Sequence, residues 1–359
     1  LLFRCSVGGR GSRAMPVPAV IAGGVLGSSS VVAAAGGAFA LVARPTKDVS
    51  FEEMLRGGRV EELRQLLNKE PGRNLDARLF GGATPLVQAA ASNQPLVCEL
   101  LIDRQASVEA KDSEGSTALL KGALEGHPDV CRYLIGLGAS PATDSAGQSP
   151  VYVASLFGHA DALQILLDSG VTPLEELDKG LCAAARNSHF RCCEVLLAAG
   201  AAVDGRSDGP SPLLLAARAG SDSICELLIQ HRASVTKSSQ GSTPLTEAAR
   251  LGQSPLITRL LLDAKADVDA VSPKGTALLL ASRKLAGLSR ADIVSWDNAW
   301  ASILLLLSRK ADAGIPGADG TSPLLLACSS ACDFTMCWGM IQCKADINAR
   351  GPQGVTPLM

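Results

Sequence analysis

Aromatic residues are scarce in this 359-residue chain: seven Phe, three Trp and two Tyr make 3%, against 47% apolar residues in all. A conventional domain of this length fills one large centre with rings. Thin layers of Leu, Val and Ala need few, because small residues let short helices approach closely. Charge of one sign is missing too. The formal net charge is -2, which argues against a general nucleic-acid binder with its surplus of Lys and Arg. Catalytic signatures are absent: there is no P-loop, no Gly-x-Ser-x-Gly elbow and no His-Glu-x-x-His pair. None of the six Asn begins an Asn-x-Ser/Thr acceptor, and the eleven cysteines are odd in number. A reducing, cytoplasmic setting suits such a chain better than the secretory lumen. No catalytic activity, cofactor or metal site is expected.

What the chain does have is a returning phrase. Residues 241–270, GSTPLTEAARLGQSPLITRLLLDAKADVDA, read as one unit. Thr243 is a good N-cap and Pro244 suits the first helical position, where its missing N–H costs nothing. Leu245, Ala248 and Ala249 share one side of a short helix that Gly252 ends. A second helix follows over Leu256 to Leu262, and the segment from Ala264 to Ala270 turns the chain outward. Helices this short cannot bury their apolar sides alone. The phrase returns as TPLVQAA, TALLKGA, SPVYVAS, SPLLLAA, TALLLAS, SPLLLAC and TPLM, from Thr84, Thr117, Ser149, Ser211, Thr276, Ser322 and Thr356, with a degenerate KGLCAAA at Lys179. Successive intervals are 33, 32, 30, 32, 32, 33, 46 and 34 residues, the period of a helix-pair repeat. The copies also share a Leu-Leu second helix and an Ala-x-Val exit.

This pattern, over about Phe51 to Met359, resembles the ankyrin repeat, in an array of about eight to nine copies. The resemblance implies an all-α repeat, a solenoid of helix pairs with β-turn fingers. One departure stands out. The His of the family's TPLH phrase, which typically ties neighbouring turns, is replaced by Val87, Leu120, Tyr152, Cys182, Leu214, Thr246, Leu279 and Leu325. His127, His159 and His189 sit instead at the turn between paired helices, where an imidazole is expected to satisfy backbone carbonyls.

Residues 49–359 are read as the repeat domain and 1–48 as a Gly/Ala-rich leader. Between Arg13 and Arg44 lie thirty uncharged residues, 14–43. Their length fits a membrane anchor, Ala38-Phe39-Ala40 resembles a signal-peptidase site, and the composition also suits a disordered leader. An anchor would place the repeats on the cytosolic side, beside Arg44, Lys47, Arg56 and Arg59. Met15 is a candidate start. Residues 51–78 lack the TPL phrase but keep the two-helix logic, with charged residues to cover the outer face of a capping repeat. The long interval holds an insertion over 284–301, expected to project from the loop between paired helices. The break at Met359, inside a new first helix, reads as a truncation.

Cys98, Cys131, Cys193 and Cys225 share one second-helix position and are read as buried apolar groups in separate layers. Cys328, Cys332, Cys337 and Cys343 are spaced by four, five and six residues, unlike the paired knuckles of structural zinc sites. Packing is expected of them.

Two features carry candidate specificity. Arg186, Arg218, Arg250 and Arg283 recur at intervals of 32, 32 and 33. In an ankyrin-like stack this row edges the concave groove, where guanidinium groups one layer apart would suit an acidic, extended partner segment. In the insertion, Trp296 and Trp300 are four apart and should share a helical face, either folded back on the stack or exposed as partner anchors. Fingertips such as Asp112, Glu114, Asp144, Asp208 and Gln240 complete the face. The resemblance implies a non-catalytic scaffold or adaptor, a monomeric array binding other proteins and not nucleic acid. The alternative is a regulatory arm of a larger enzyme or channel.

Overall fold

The computed structural model describes residues 46–358 except 80, 142, 143, 145, 171, 206–208, 253, 289–291, 331–333, 352 and 353. The leader with segment 14–43 lies outside the described residues, apart from its last few, since the first helix already begins at Thr46. Among the described residues no helix is long and apolar enough to cross a membrane.

Helices follow one another in pairs: α1 (Thr46–Gly57) and α2 (Val60–Lys69), α3 (Pro85–Ala91) and α4 (Pro95–Asp103), α5 (Ala118–Leu124) and α6 (Pro128–Gly136). Then come α7 (Pro150–Phe157) and α8 (Ala160–Asp168), α9 (Leu174–Arg186) and α10 (Phe190–Ala198), α11 (Pro212–Ala219) and α12 (Asp222–Gln230). The last described pairs are α13 (Pro244–Leu251) and α14 (Pro255–Asp263), α15 (Ala277–Ala286) and α16 (Ile293–Ser308), α17 (Pro323–Ser330) and α18 (Phe334–Gln342). Each first helix packs on the first helices before and after it, and each second helix does the same in its own row. The result is an all-α repeat solenoid. The one described ladder, β1 (Val271–Ser272) with β2 (Gly275–Thr276), is a fingertip hairpin.

The caps act as the sequence predicts. The side chains of Thr84, Thr117, Ser149, Ser211, Thr243, Thr276 and Ser322 each accept from the backbone N–H three residues on, at 3.1 to 3.4 Å. One otherwise orphaned donor per helix is satisfied in this way. Where the helix meets its neighbours, one apolar stripe is buried. Leu86, Leu119, Leu181, Leu213 and Leu245 from the first helices are at most 1% exposed, as are Cys98, Cys131, Cys193 and Cys225 from the second. A fully buried Leu contributes about 1.5–3 kcal/mol, and each layer buries its stripe only against the next.

In the α1/α2 layer Phe51, Leu55, Leu63 and Leu67 are buried while Glu53, Arg56, Glu61 and Arg64 are exposed. Layers are also stitched by polar links. The rings of His127, His159 and His189, each just before a second helix, donate to the carbonyls of Ala91, Leu124 and Leu156 in the preceding layer at 3.2, 3.0 and 3.0 Å. Gln94 takes the same place earlier, on the Arg56 carbonyl at 3.2 Å. The carbonyl role expected of the histidines is thus met across layers.

The insertion corrects one expectation. Most of its described residues belong to helices: α15 runs on to Ala286 and α16 starts at Ile293, so both helices are lengthened. Asp292 caps the longer α16 by accepting from Ser295 N–H at 3.3 Å.

Candidate interaction face and the cleft beside α9

Finger turns precede the first helices, and their acidic residues build them. Asp112 accepts from the N–H groups of Glu114 and Ser116 at 2.9 and 2.8 Å, and Asp144 from those of Ala146 and Gln148 at 2.8 Å each. Asp112 is only 4% exposed, so it sits in the finger but offers little surface to a partner: closing a tight turn requires an acceptor inside it. Glu114 and Gln240 are exposed, Gln240 at the apex of a turn where φ is 52°. Glu114 meets Lys121 at 2.8 Å. Asp208 lies outside the described residues.

The arginine row is not a set of four equivalent cations. Glu247, 4% exposed, accepts from Arg250 at 2.8 Å and from Arg218 in the preceding layer at 3.4 Å. Burial works to raise the pKa of Glu247. The hydrogen bonds and charges of Arg250 and Arg218 outweigh it and hold the carboxyl below its ordinary value. Arg283 makes a two-oxygen contact with Asp319, 2.6 Å to each. Three of the guanidinium groups are therefore already matched by carboxylates of the chain. Arg186 is exposed and has no carboxylate partner among the described residues.

The reason lies in the fifth position of each copy of the repeated phrase. It holds Gln88, Lys121, Val153, Ala183, Leu215, Glu247, Leu280 and Leu326. Arg218 finds Glu247 there in the next layer, whereas Arg186 finds Leu215. In its own layer Arg250 has Glu247 and Arg186 has Ala183. Position by position, this contrast is written in the sequence.

Pair α9/α10 differs in a second way. Residues 112–116 form a finger turn ahead of α5, with Gly115 at φ 81°. The aligned residues Leu174-Glu175-Glu176-Leu177-Asp178 are instead the opening turns of α9. Leu177, in the glycine's place, cannot readily take the left-handed conformation a finger needs, and it is buried at 3%. Leu and Glu favour the helix instead. Glu176 is drawn in, accepting from Ser149 Oγ at 2.5 Å and Lys179 Nζ at 2.8 Å.

Beside this extended helix opens a cleft of about 510 Å³. Tyr152, Cys182, Ala183, Pro210 and Leu215 form its apolar lining, and Glu175, Asp178, Lys179 and Arg186 are its charged residues. The matching recess beside α5, about 440 Å³, is crossed by Lys121, which reaches Glu114 and, at 3.7 Å, Asp112. Ala183 leaves that path open in the cleft beside α9.

Trp296 and Trp300 do share a face of α16. Their rings stack at 5.4 Å and pack, half-buried, on the core. An outward position that carries Glu99, Arg132, Gln164, Glu194, Glu226 and Arg259 carries Leu304 and Trp338 in the last two pairs, 37% and 54% exposed. Phe334 stacks on Trp338 at 6.2 Å. Of the carboxyl-terminal cysteines, Cys328 and Cys337 face each other at 3.9 Å, while Cys343 contacts the Leu307 carbonyl at 3.6 Å. Cys332 lies outside the described residues. No disulfide joins the described cysteines.

A family model described as ankyrin repeats, three copies, matches residues 96–176, 154–239 and 181–272. Among the curated proteins nothing matches the chain.

Proposed function

We propose, from ankyrin repeats across residues 96–272 flanked by helix pairs of the same pattern, that this chain is a non-catalytic scaffold. Ankyrin repeats are generally protein-interaction modules. In this reading all nine helix pairs described act as one array and bind another protein along the side formed by the fingers and first helices. The observation that carries it is the pair of recesses, about 510 and 440 Å³, in the same register two layers apart on that side. A partner segment laid along the fingers would meet such recesses two layers apart, with the exposed Glu114 at the first of them and Gln240 in the finger ahead of α13. Among the described residues, Arg186 is the member of the arginine row left to receive an acidic group. Buried thiols that form no disulfide fit a reducing, cytoplasmic compartment.

The test is capture of partners from cells with the full chain, with a finger variant (Glu114→Lys with Gln240→Arg) and with a second-helix variant (Glu226→Lys). A partner retained by the wild type and by Glu226→Lys but lost by the finger variant is the expected result. A partner lost only with Glu226→Lys would refute the assigned side.

A further inference from the structure

We propose that the cleft beside α9 receives one apolar side chain of a partner's extended segment, and that Arg186 holds an Asp or Glu of the same segment. The inference deepens the protein-recognition reading above and rests on it.

Three independent features converge here. The finger that would stand over α9 is replaced by helix, because Leu177 occupies the place of a finger glycine. The side chain that would cross the recess is reduced to Ala183, the smallest residue found at that position among the aligned copies. The guanidinium at the end of the recess has no carboxylate among the described residues, because Leu215 stands where the next arginine finds Glu247. Lys121 lines the matching recess two layers away and carboxylates meet Arg218, Arg250 and Arg283, whereas among the described residues neither is supplied here.

The residues also say what fits. Tyr152, Cys182 and Leu215 offer an apolar floor, so a Leu, Ile, Val or Met side chain gains by leaving water. Toward the start of α9 Lys179 meets Glu176 at 2.8 Å and Glu175 at 3.9 Å, and Asp178 accepts from the Ala202 N–H at 2.6 Å. Arg186 is thus the cation of the cleft with no carboxylate partner among the described residues. Its planar fork favours a carboxylate, and the contact is charge-assisted. Geometry sets the spacing. Ala183 and Arg186 are three residues apart on a helix, about 4.5 Å along the axis, and an extended segment advances about 3.3 Å per residue. The acidic residue therefore lies one or two positions from the apolar one.

A displayed library of random peptides, panned on the full chain, tests this whichever protein the partner is. Affinities of enriched peptides are then measured on wild type, Arg186→Glu and Arg186→Lys. Each variant changes an exposed residue and leaves the core untouched. Alkylation of Cys182, which lines the cleft, is read by mass spectrometry with and without peptide.

Enriched sequences should pair an apolar residue with an acidic one at the stated spacing. Arg186→Glu should weaken them about tenfold or more, Arg186→Lys should retain part of the affinity, and peptide should slow Cys182 alkylation. Peptides that lack the acidic residue, bind Arg186→Glu equally and leave Cys182 unprotected would overturn the assignment. If those peptides are lost on Glu114→Lys with Gln240→Arg, the recognition side stands and only the cleft falls. No enrichment at all also overturns the cleft, and the cellular capture then judges the scaffold reading separately.

Discussion

The imidazole of His159 lies over Gly126 of the preceding layer. A Cβ on that glycine would come within 2.3 Å of the ring nitrogen Nδ1, while Nε2 holds the Leu124 carbonyl at 3.0 Å. Gly158 meets His189 in the same way, so a glycine in one layer and a histidine in the next form a repeated joint.

Substituting that glycine should show both costs. Gly126 has φ 74° and a ring above it; Gly138 has φ 82° and nothing within 4 Å. Gly138→Ala should cost about 1–2 kcal/mol for the left-handed backbone alone. Gly126→Ala should cost more, because the ring must move and its hydrogen bond, worth about 1 kcal/mol, is lost as well. Urea denaturation of the two variants, compared with Gly126→Ala/His159→Ala, measures the difference.

Glu247 should make stability depend on acid. Its pKa is held below the ordinary 4.5, so the folded state binds that proton less readily than the unfolded chain. The contribution is present above the unfolded value and is lost as pH falls through the folded one. Glu247→Gln should therefore be destabilised at pH 7, and the gap to wild type should narrow as pH falls below 4.5 and through the lowered folded value. Thermal melts from pH 7 to 3 check it, and a constant gap would contradict the bridge.

The buried thiols should act at the other end of the scale. Burial pushes Cys98, Cys131, Cys193 and Cys225 up from 9.0 to about 12. The stability they contribute is complete below pH 9 and is lost as pH rises toward 12. Chemical denaturation between pH 8 and pH 10.5 should show falling stability, with less slope when one of them is replaced by Ala.

Thr258 occupies the position that Cys98, Cys131, Cys193 and Cys225 hold in other layers. It is fully buried and its hydroxyl has no hydrogen-bond partner among the described residues. Thr258→Val should stabilise the chain by about 1 kcal/mol, since an unpaired buried hydroxyl costs at least that. A lower denaturation midpoint would show that the hydroxyl is satisfied after all.

Much of the fold is legible from residues alone. Thr84 and its counterparts announce the caps, because an N-cap needs only its own turn. His159 can be placed against a carbonyl, because Gly-His fixes a position at the turn. The pairing of Arg218 escapes sequence reading, since its partner Glu247 lies 29 residues away and becomes a neighbour only when layers stack. The same rule, one position in the next layer, sets Arg186 apart. The missing finger at Leu177 has a signal as well: the turn glycine of other copies is absent there. The 284–301 insertion misleads because its length reads as a projecting loop, while Asp292 starts a helix on which Trp296 and Trp300 fold back on the stack, one of the two arrangements offered for them.

Hydrogen exchange with a captured partner bound tests the central claim most directly. Slowed exchange is predicted at 112–121, 144–152 and 174–186, the fingers and first helices beside the two recesses. Protection confined to α16 and α18, around Leu304, Phe334 and Trp338, would place recognition on the opposite row of helices and contradict the account.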